Sequence, residues 1–160
     1  MTLSLDFDTL LDAIHARAIA ITGIRGGFRF DEWPDSLPSM PSQEAAWHLT
    51  GFPEEGQGVR YMVRGSDLSE YEVEIPLYTI VVEAAKVRNS RKWVAPYFDR
   101  YRAAFDTRTA ILDVGTGNTG SILYTGAQVV RAIPDWDNYS GYFMLRHTLM
   151  AHVKGPVSRD

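Results

Sequence analysis

The stretch YEVEIPLYTIVVEAAKV, residues 71–87, decides how the chain folds. It is rich in β-branched and aromatic side chains, which suit a pleated strand. Its first half sets Glu72 and Glu74, with Glu70 just ahead, in alternation with Tyr71, Val73 and Ile75, the pattern of a strand with one solvated face. From Leu77 to Val82 the pattern turns apolar on both faces, so this half has to be covered on both sides. The reading is a strand that runs through the centre of a sheet.

Working outward toward the N-terminus, Val59–Arg64 and Ala45–Leu49 read as brief strands between turn formers at Gly51, Pro53, Gly56, Gly58 and Gly65. The loop between them offers little apolar surface to fix it and is expected to be mobile. The segment WPDSLPSMPS, residues 33–42, is an extended connector, because each proline removes a donor and restricts its predecessor. Before it come a short strand-like piece, Ile24–Phe30, and an amphipathic helix, Phe7–Ile21. In the helix Phe7, Leu10, Leu11, Ile14, Ala18 and Ile21 share a face, with Asp6 as cap and Gly23 as stop. Toward the C-terminus, Pro96 is expected to open a second helix, with Tyr97, Phe98, Tyr101, Ala104 and Phe105 on one face. Ile122–Ala132 and Tyr142–Val153 close the chain as strands joined by the turn segment PDWDN, residues 134–138. The coarse order is α-β-β-β-α-β-β, with no internal repeat. The residues ahead of the prolines are too few for a domain of their own, so 1–160 reads as one domain.

The 160 residues can bury roughly 70% of the unfolded chain's surface, enough for a self-supporting core. An apolar share of 45% and a charged share of 22% argue against disorder and low-complexity scaffolds. The absence of cysteine excludes a disulfide framework, thiol catalysis and thiolate zinc sites. The N-terminus carries Asp6, Asp8 and Asp12 without a basic leader, and reads as neither signal nor transit peptide. The longest apolar run, Leu77–Ala85, is broken by Thr79 and Glu83 and falls far short of the roughly 20 residues a membrane helix needs. Net charge is only −4, yet the charges are segregated: Asp31–Glu83 holds eleven acids against two arginines, and Lys86–Arg108 seven bases against two acids.

Residues 111–120, ILDVGTGNTG, satisfy G-x-G-x-x-G at Gly115, Gly117 and Gly120 and look like the first motif of S-adenosylmethionine-dependent methyltransferases. That chemistry needs a helix to follow the glycines, so that its N-terminal amides receive the ligand. A hairpin turn accounts for the same glycines, and the discriminator is whether helix or strand follows Gly120. Of the four histidines, His15, His48, His147 and His152, no two stand at the i, i+4 helical spacing of paired metal ligands. The odd separation of His147 and His152 in a strand pattern points them to opposite faces, and all four read as satisfied structural histidines. No serine lies in a G-x-S-x-G elbow, and Asp135 and Asp137 read as turn residues. Arg88, Arg91, Lys92 and Arg100, with Trp93, Tyr97 and Tyr101 interleaved, have a composition suited to a phosphate backbone and stacked bases, which the overall acidity opposes. The bipolar charge fits a head-to-tail assembly instead. On that ground the candidate interface is Arg88, Arg91, Lys92 and Arg100 against Glu54, Glu55, Glu72 and Glu74. No catalytic, cofactor-binding or metal-ligating residue is assigned.

The layout resembles the tail terminator proteins of long-tailed bacteriophages, also called minor tail or tail completion proteins. The resemblance spans most of the chain and rests on five segments: FDTLLDAIHARAIAITGI, PDSLPSMPS, VEIPLYTIVVEA, APYFDRYRAAF and YSGYFMLRHTLMAHV. It implies an α+β fold, a mostly antiparallel sheet with two amphipathic helices packed on it, and a ring, hexameric in that family, that caps the tail tube. The implied partners are further copies of the chain, the tail tube protein and a neck or head-completion protein. DNA would only pass through the lumen. The implied location is the tail–neck junction of the virion, after assembly in the host cytoplasm, with no membrane, no cofactor and no catalysis. A related neck or head–tail connector protein is the alternative of the same class, and a small methyltransferase using residues 111–120 the alternative of another.

Overall fold

In a computed structural model, two strands of 16 and 17 residues, β5 (Leu68–Glu83) and β8 (Tyr142–Ser158), pair antiparallel from Leu68↔Pro156 to Glu83↔Tyr142 and form the spine of a sheet. The residues described are 2–3, 7–39, 41–42, 45–54, 58, 60–64, 68–83, 90–105, 112–113, 119–134, 136–139 and 141–158. The other elements are β1 (Thr2–Leu3), α1 (Phe7–Ile19), β2 (Ile24–Arg29), β3 (Ala46–Thr50), β4 (Arg60–Arg64), α2 (Ser90–Phe105), β6 (Leu112–Asp113) and β7 (Thr119–Val130). The sheet order is β2-β3-β5-β8-β7-β6, with β4 also on β5 and β1 also on β8. Every pairing is antiparallel except β2 with β3. This is an α+β fold, as expected, with the 71–83 stretch at its centre.

Alternation along β5 divides its side chains between two cores. Tyr71, Val73, Ile75, Leu77 and Val81 meet Leu10, Leu11, Ile14 and Ala18 of α1 and Val94, Tyr97, Tyr101 and Phe105 of α2. Tyr78 and Ile80 turn the other way, into a second cluster with Trp47, Leu49, Ile133, Tyr139 and Met144. Neither α1 nor α2 covers that second cluster; the proline connector and a short 3-10 turn, Asp137–Tyr139, do. Trp33 and Leu37 pack on it, and three side chains donate to backbone carbonyls along the same path. Trp33 Nε1 donates to Thr50 O (3.2 Å), Trp47 Nε1 to Ser39 O (2.9 Å) and the Tyr139 hydroxyl to Pro34 O. A chain poor in its own ladder bonds is thus tied down by aromatic donors.

Several boundaries differ from the sequence reading. The second helix does not begin at Pro96: it starts at Ser90 and contains Pro96 in its interior. The proline strands only the carbonyl four residues back, at exposed Lys92, where water can satisfy it. The first helix ends at Ile19, and the last strand continues past Val153 to Ser158. Two-residue strands β1 and β6 carry no periodicity and were not expected. The end of the expected central strand, residues 84–87, lies outside the described residues, as do Asp6 and Val59.

The α1–β2 turn depends on Gly23, whose φ of 91° favours glycine. A Cβ there would stand 2.6 Å from the Tyr97 hydroxyl and 2.7 Å from Arg100 Nη1. Tyr97 donates to Gly23 O (3.2 Å), Arg100 to Thr22 O (3.0 Å), and the amide of Ala46 to Gly23 O (2.8 Å), so α2, β3 and this turn meet at one residue. On the far side of β2, Arg29 bonds Asp8 and Asp12 of α1 and lies 3.4 Å from Asp31, and these carboxylates hold its pKa above the ordinary value. Gly23→Ala is therefore expected to cost about 1–3 kcal/mol. Gly58→Ala, at an exposed site with open space around it, is expected to stay within about 0.5 kcal/mol. Urea unfolding midpoints at constant slope measure both, and equal effects would refute the role given to this turn.

Candidate functional site

Glu70, Glu72 and Glu74 occupy the even positions of β5, on the sheet face turned away from α1 and α2. Each has a basic side chain beside it. Glu70 lies 3.4 Å from His152, Glu72 3.6 Å from Arg60 and Glu74 3.9 Å from Arg146. Arg146 is the organising cation of this face: Nε and Nη2 reach one oxygen of Glu54 at 2.9 and 2.8 Å, and Nη1 donates to the Thr148 hydroxyl at 2.7 Å. Burial works against the guanidinium charge, but Glu54 and Tyr78 together outweigh it and hold the pKa above its usual value. The Tyr78 hydroxyl donates to the same Glu54 oxygen (3.2 Å), and burial, with Glu54 beside it, pushes the phenol up to about 12.

Two contacts hold the start of the 51–58 loop, which offers little apolar surface of its own. Gly51 donates to Pro76 O at 2.9 Å, so close that a Cβ would stand 2.6 Å from that oxygen, and Glu54 is anchored to Arg146. Glu55 lies outside the described residues. Glu54 therefore serves an internal ion pair, and Glu74 shares its cation. Phe30, Trp33, Phe52, Tyr78 and Trp136 wall a groove of about 400 Å3 beside Glu54.

At the basic end, Arg88 lies outside the described residues, Arg91 falls in the first turn of α2, and Lys92 is exposed. Arg100 is committed internally: besides its bond to Thr22 O, its guanidinium sits 5.0 Å from the Tyr97 ring centroid. Tyr97 and Tyr101 are fully buried, so they form core and not the stacking platform a single strand of nucleic acid would need.

Three of the histidines that the sequence marks as satisfied structural residues form a polar seam between the helices and the sheet. His15 Nδ1 of α1 pairs with Thr50 Oγ1 (3.0 Å), and Thr50 with His48 Nε2 (2.7 Å). His48 Nδ1 pairs with the Tyr101 hydroxyl of α2 (2.7 Å). Thr79 pairs with His147 Nε2 (2.8 Å), and His147 Nδ1 with the Tyr124 hydroxyl (2.7 Å). The Tyr101 ring lies flat on His147, centroids 3.8 Å apart and planes 7° from parallel. Burial drives the pKa of His48 well below its ordinary value, helped by His15 and His147, and takes His147 to about 3. His15, half-buried, is lowered by burial and by Arg29, against the pull of Glu32 and Asp12. His152 projects from the opposite face, beside Glu70, as its odd separation from His147 required.

Gly115 and Gly117 of the glycine motif lie outside the described residues; Gly120 is in β7, and the segment after it is strand. Among the described residues no cluster of three or more histidines and carboxylates could hold a metal ion, and no helix is long and apolar enough to cross a membrane. No protein-family model matches the chain, and neither does any curated protein. Glu54→Gln is expected to cost about 1–3 kcal/mol, since it breaks a charged hydrogen-bonded pair, and to speed amide exchange at Phe52 and Glu54. Unchanged exchange there in a folded variant would contradict the anchoring described.

Proposed function

We propose that the protein is a structural virion subunit of the tail-terminator kind, a ring-former that caps a tail tube and joins it to the neck. The observation that carries this reading is the disposition of charge. Exposed Lys92, in the first turn of α2, stands on the helix side of the sheet, and the acids of β5 stand on the other. Opposite signs on opposite sides of one subunit are what a heterologous, head-to-tail contact uses, and such contacts close into rings when the rotation permits. The layout resemblance supplies the rest: six copies, the tail tube protein on one side, a neck or head-completion protein on the other, and DNA passing through the lumen. The virion's tail–neck junction is the location, with assembly in the host cytoplasm. The role is one of assembly, without catalysis, cofactor or membrane. Within it Arg88, Arg91 and Lys92 face Glu72 and its acidic neighbours, while Glu54 and Arg100 act inside the subunit.

Sedimentation tests the reading. The parent is expected to form a closed oligomer whose assembly slows with salt, as the screening length falls from roughly 10 Å at 0.1 M to about 3 Å at 1 M. Changing Arg88, Arg91 and Lys92 together to glutamate is expected to leave a folded monomer. A parent that is monomeric at every concentration and salt, or a triple variant that assembles like the parent, would refute the assigned interface.

A further inference from the structure

One outer edge of the sheet is left unguarded by its sequence. β6 pairs with β7 only at Thr119 and Gly120, so among the described residues no strand lies along the outer side of 121–130. The inner side of that segment is taken by β8. In an antiparallel ladder every second residue turns its N–H and C=O away from the strand already paired, which leaves a row of donors and acceptors along the outer side. Such edges are usually blunted by charge, proline or brevity. The outer strands β2 and β4 follow that rule, with Arg25 and Arg29 in one and Arg60 and Arg64 in the other, and β1 is two residues long. β7 runs for twelve residues with no charge and no proline.

The side chains of β7 say what fits there. A bulge between Tyr124 and Gly126 switches its alternation. Ahead of the bulge Leu123 stands opposite Met150, and beyond it Val129 stands opposite Leu145. Leu145 belongs to the core under the helices, and Met150, five positions along the same strand, to the other face. Leu123 and Val129 are thus exposed on opposite faces of the sheet, at 52% and 45%. A helix or a second sheet laid on one face would cover one of them and leave the other. A strand added along the edge sets side chains on both faces and covers both.

We propose that the outer edge of β7 docks an extended, uncharged segment of another protein, which joins the sheet as a further strand with apolar side chains beside Leu123 and Val129. The segment is uncharged because β7 offers no charge to stand opposite one. The bulge favours such a segment over a second copy of β7: a rigid strand with the same bend meets this edge over part of its length, whereas a segment that orders on binding follows it. Main-chain bonds supply the affinity, and the two aliphatic side chains the register. The site uses no residue of the charge contact proposed above, so the two stand or fall separately.

Amide exchange on the full chain is the first test. In the free protein the amides of 121–130 are expected to alternate on each side of the bulge, the outward ones exchanging at least about tenfold faster than those bonded to β8. Uniform protection along the strand would overturn the proposal. So would outward amides that slow as the protein alone is concentrated, which would assign the edge to a second copy. The second test titrates in a peptide of alternating threonine and valine with a lysine at each end. It is expected to slow the outward amides and to shift the Leu123 and Val129 resonances, and the same peptide with every amide N-methylated is expected to do neither. Changing Leu123 and Val129 together to lysine, at exposed positions, is expected to weaken the unmethylated peptide about tenfold. No slowing by that peptide, equal binding of the two peptides, or undiminished binding to the lysine variant would overturn the docking site, and the comparison of the two peptides needs only the parent.

Discussion

Tyr101 is the residue on which the rest of the arrangement depends. Its ring lies flat on His147 of β8, and its hydroxyl pairs with His48 of β3. One side chain of α2 thereby fixes the helix against two strands at once. A purely apolar helix face packs acceptably at several rotations and offsets; buried hydrogen bonds admit very few. From His48 the bonds run on through Thr50 to His15, so α1 is keyed to β3 as well. The cost of this device is three histidines held away from their charged form, with the burial of His48 and His147 as the main cause.

The two faces of the sheet are built on different principles. On one side the helices supply a conventional apolar layer interrupted by the polar line. On the other, an irregular connector is held by indole and phenol donors, and Arg146 gathers Glu54 and Glu74 near its edge. On the second face each carboxylate of β5 stands beside a basic side chain, while exposed Lys92, at the start of α2, belongs to the first. The placing of these acids is a product of the layering: they sit on the even positions of β5 because the odd positions have to be apolar to receive the helices.

That alternation was readable in the sequence, and with it the central place of residues 71–83, the first helix and the α+β class. The failures have physical causes. Pro96 is a strong local signal for a helix start, yet six preceding residues wind into α2, because Val94 gains full burial against the sheet at little cost to the Lys92 carbonyl. The parallel pairing of β2 with β3 needs a register across the proline connector that no local pattern encodes. The partners of the candidate charges were hidden for the same reason: Arg146 and Glu54 are 92 residues apart, Arg100 and Thr22 78. For the seam a trace existed. His48, Thr79 and His147 are polar residues at inward positions of otherwise apolar strands, which marks them as satisfied, but alternation cannot say by whom.

The central claim, that the Tyr101–His48 hydrogen bond keys α2 to the sheet, is tested most directly by a double-mutant cycle on that pair. Tyr101→Phe keeps the ring and removes the hydroxyl, His48→Leu removes the ring nitrogens, and urea unfolding at pH 7.5 gives the stability of the parent, both single variants and the double. The bond predicts a coupling free energy of about 0.5–3 kcal/mol between the two changes, since each removes the partner of the other. Effects that add within about 0.3 kcal/mol would contradict the account.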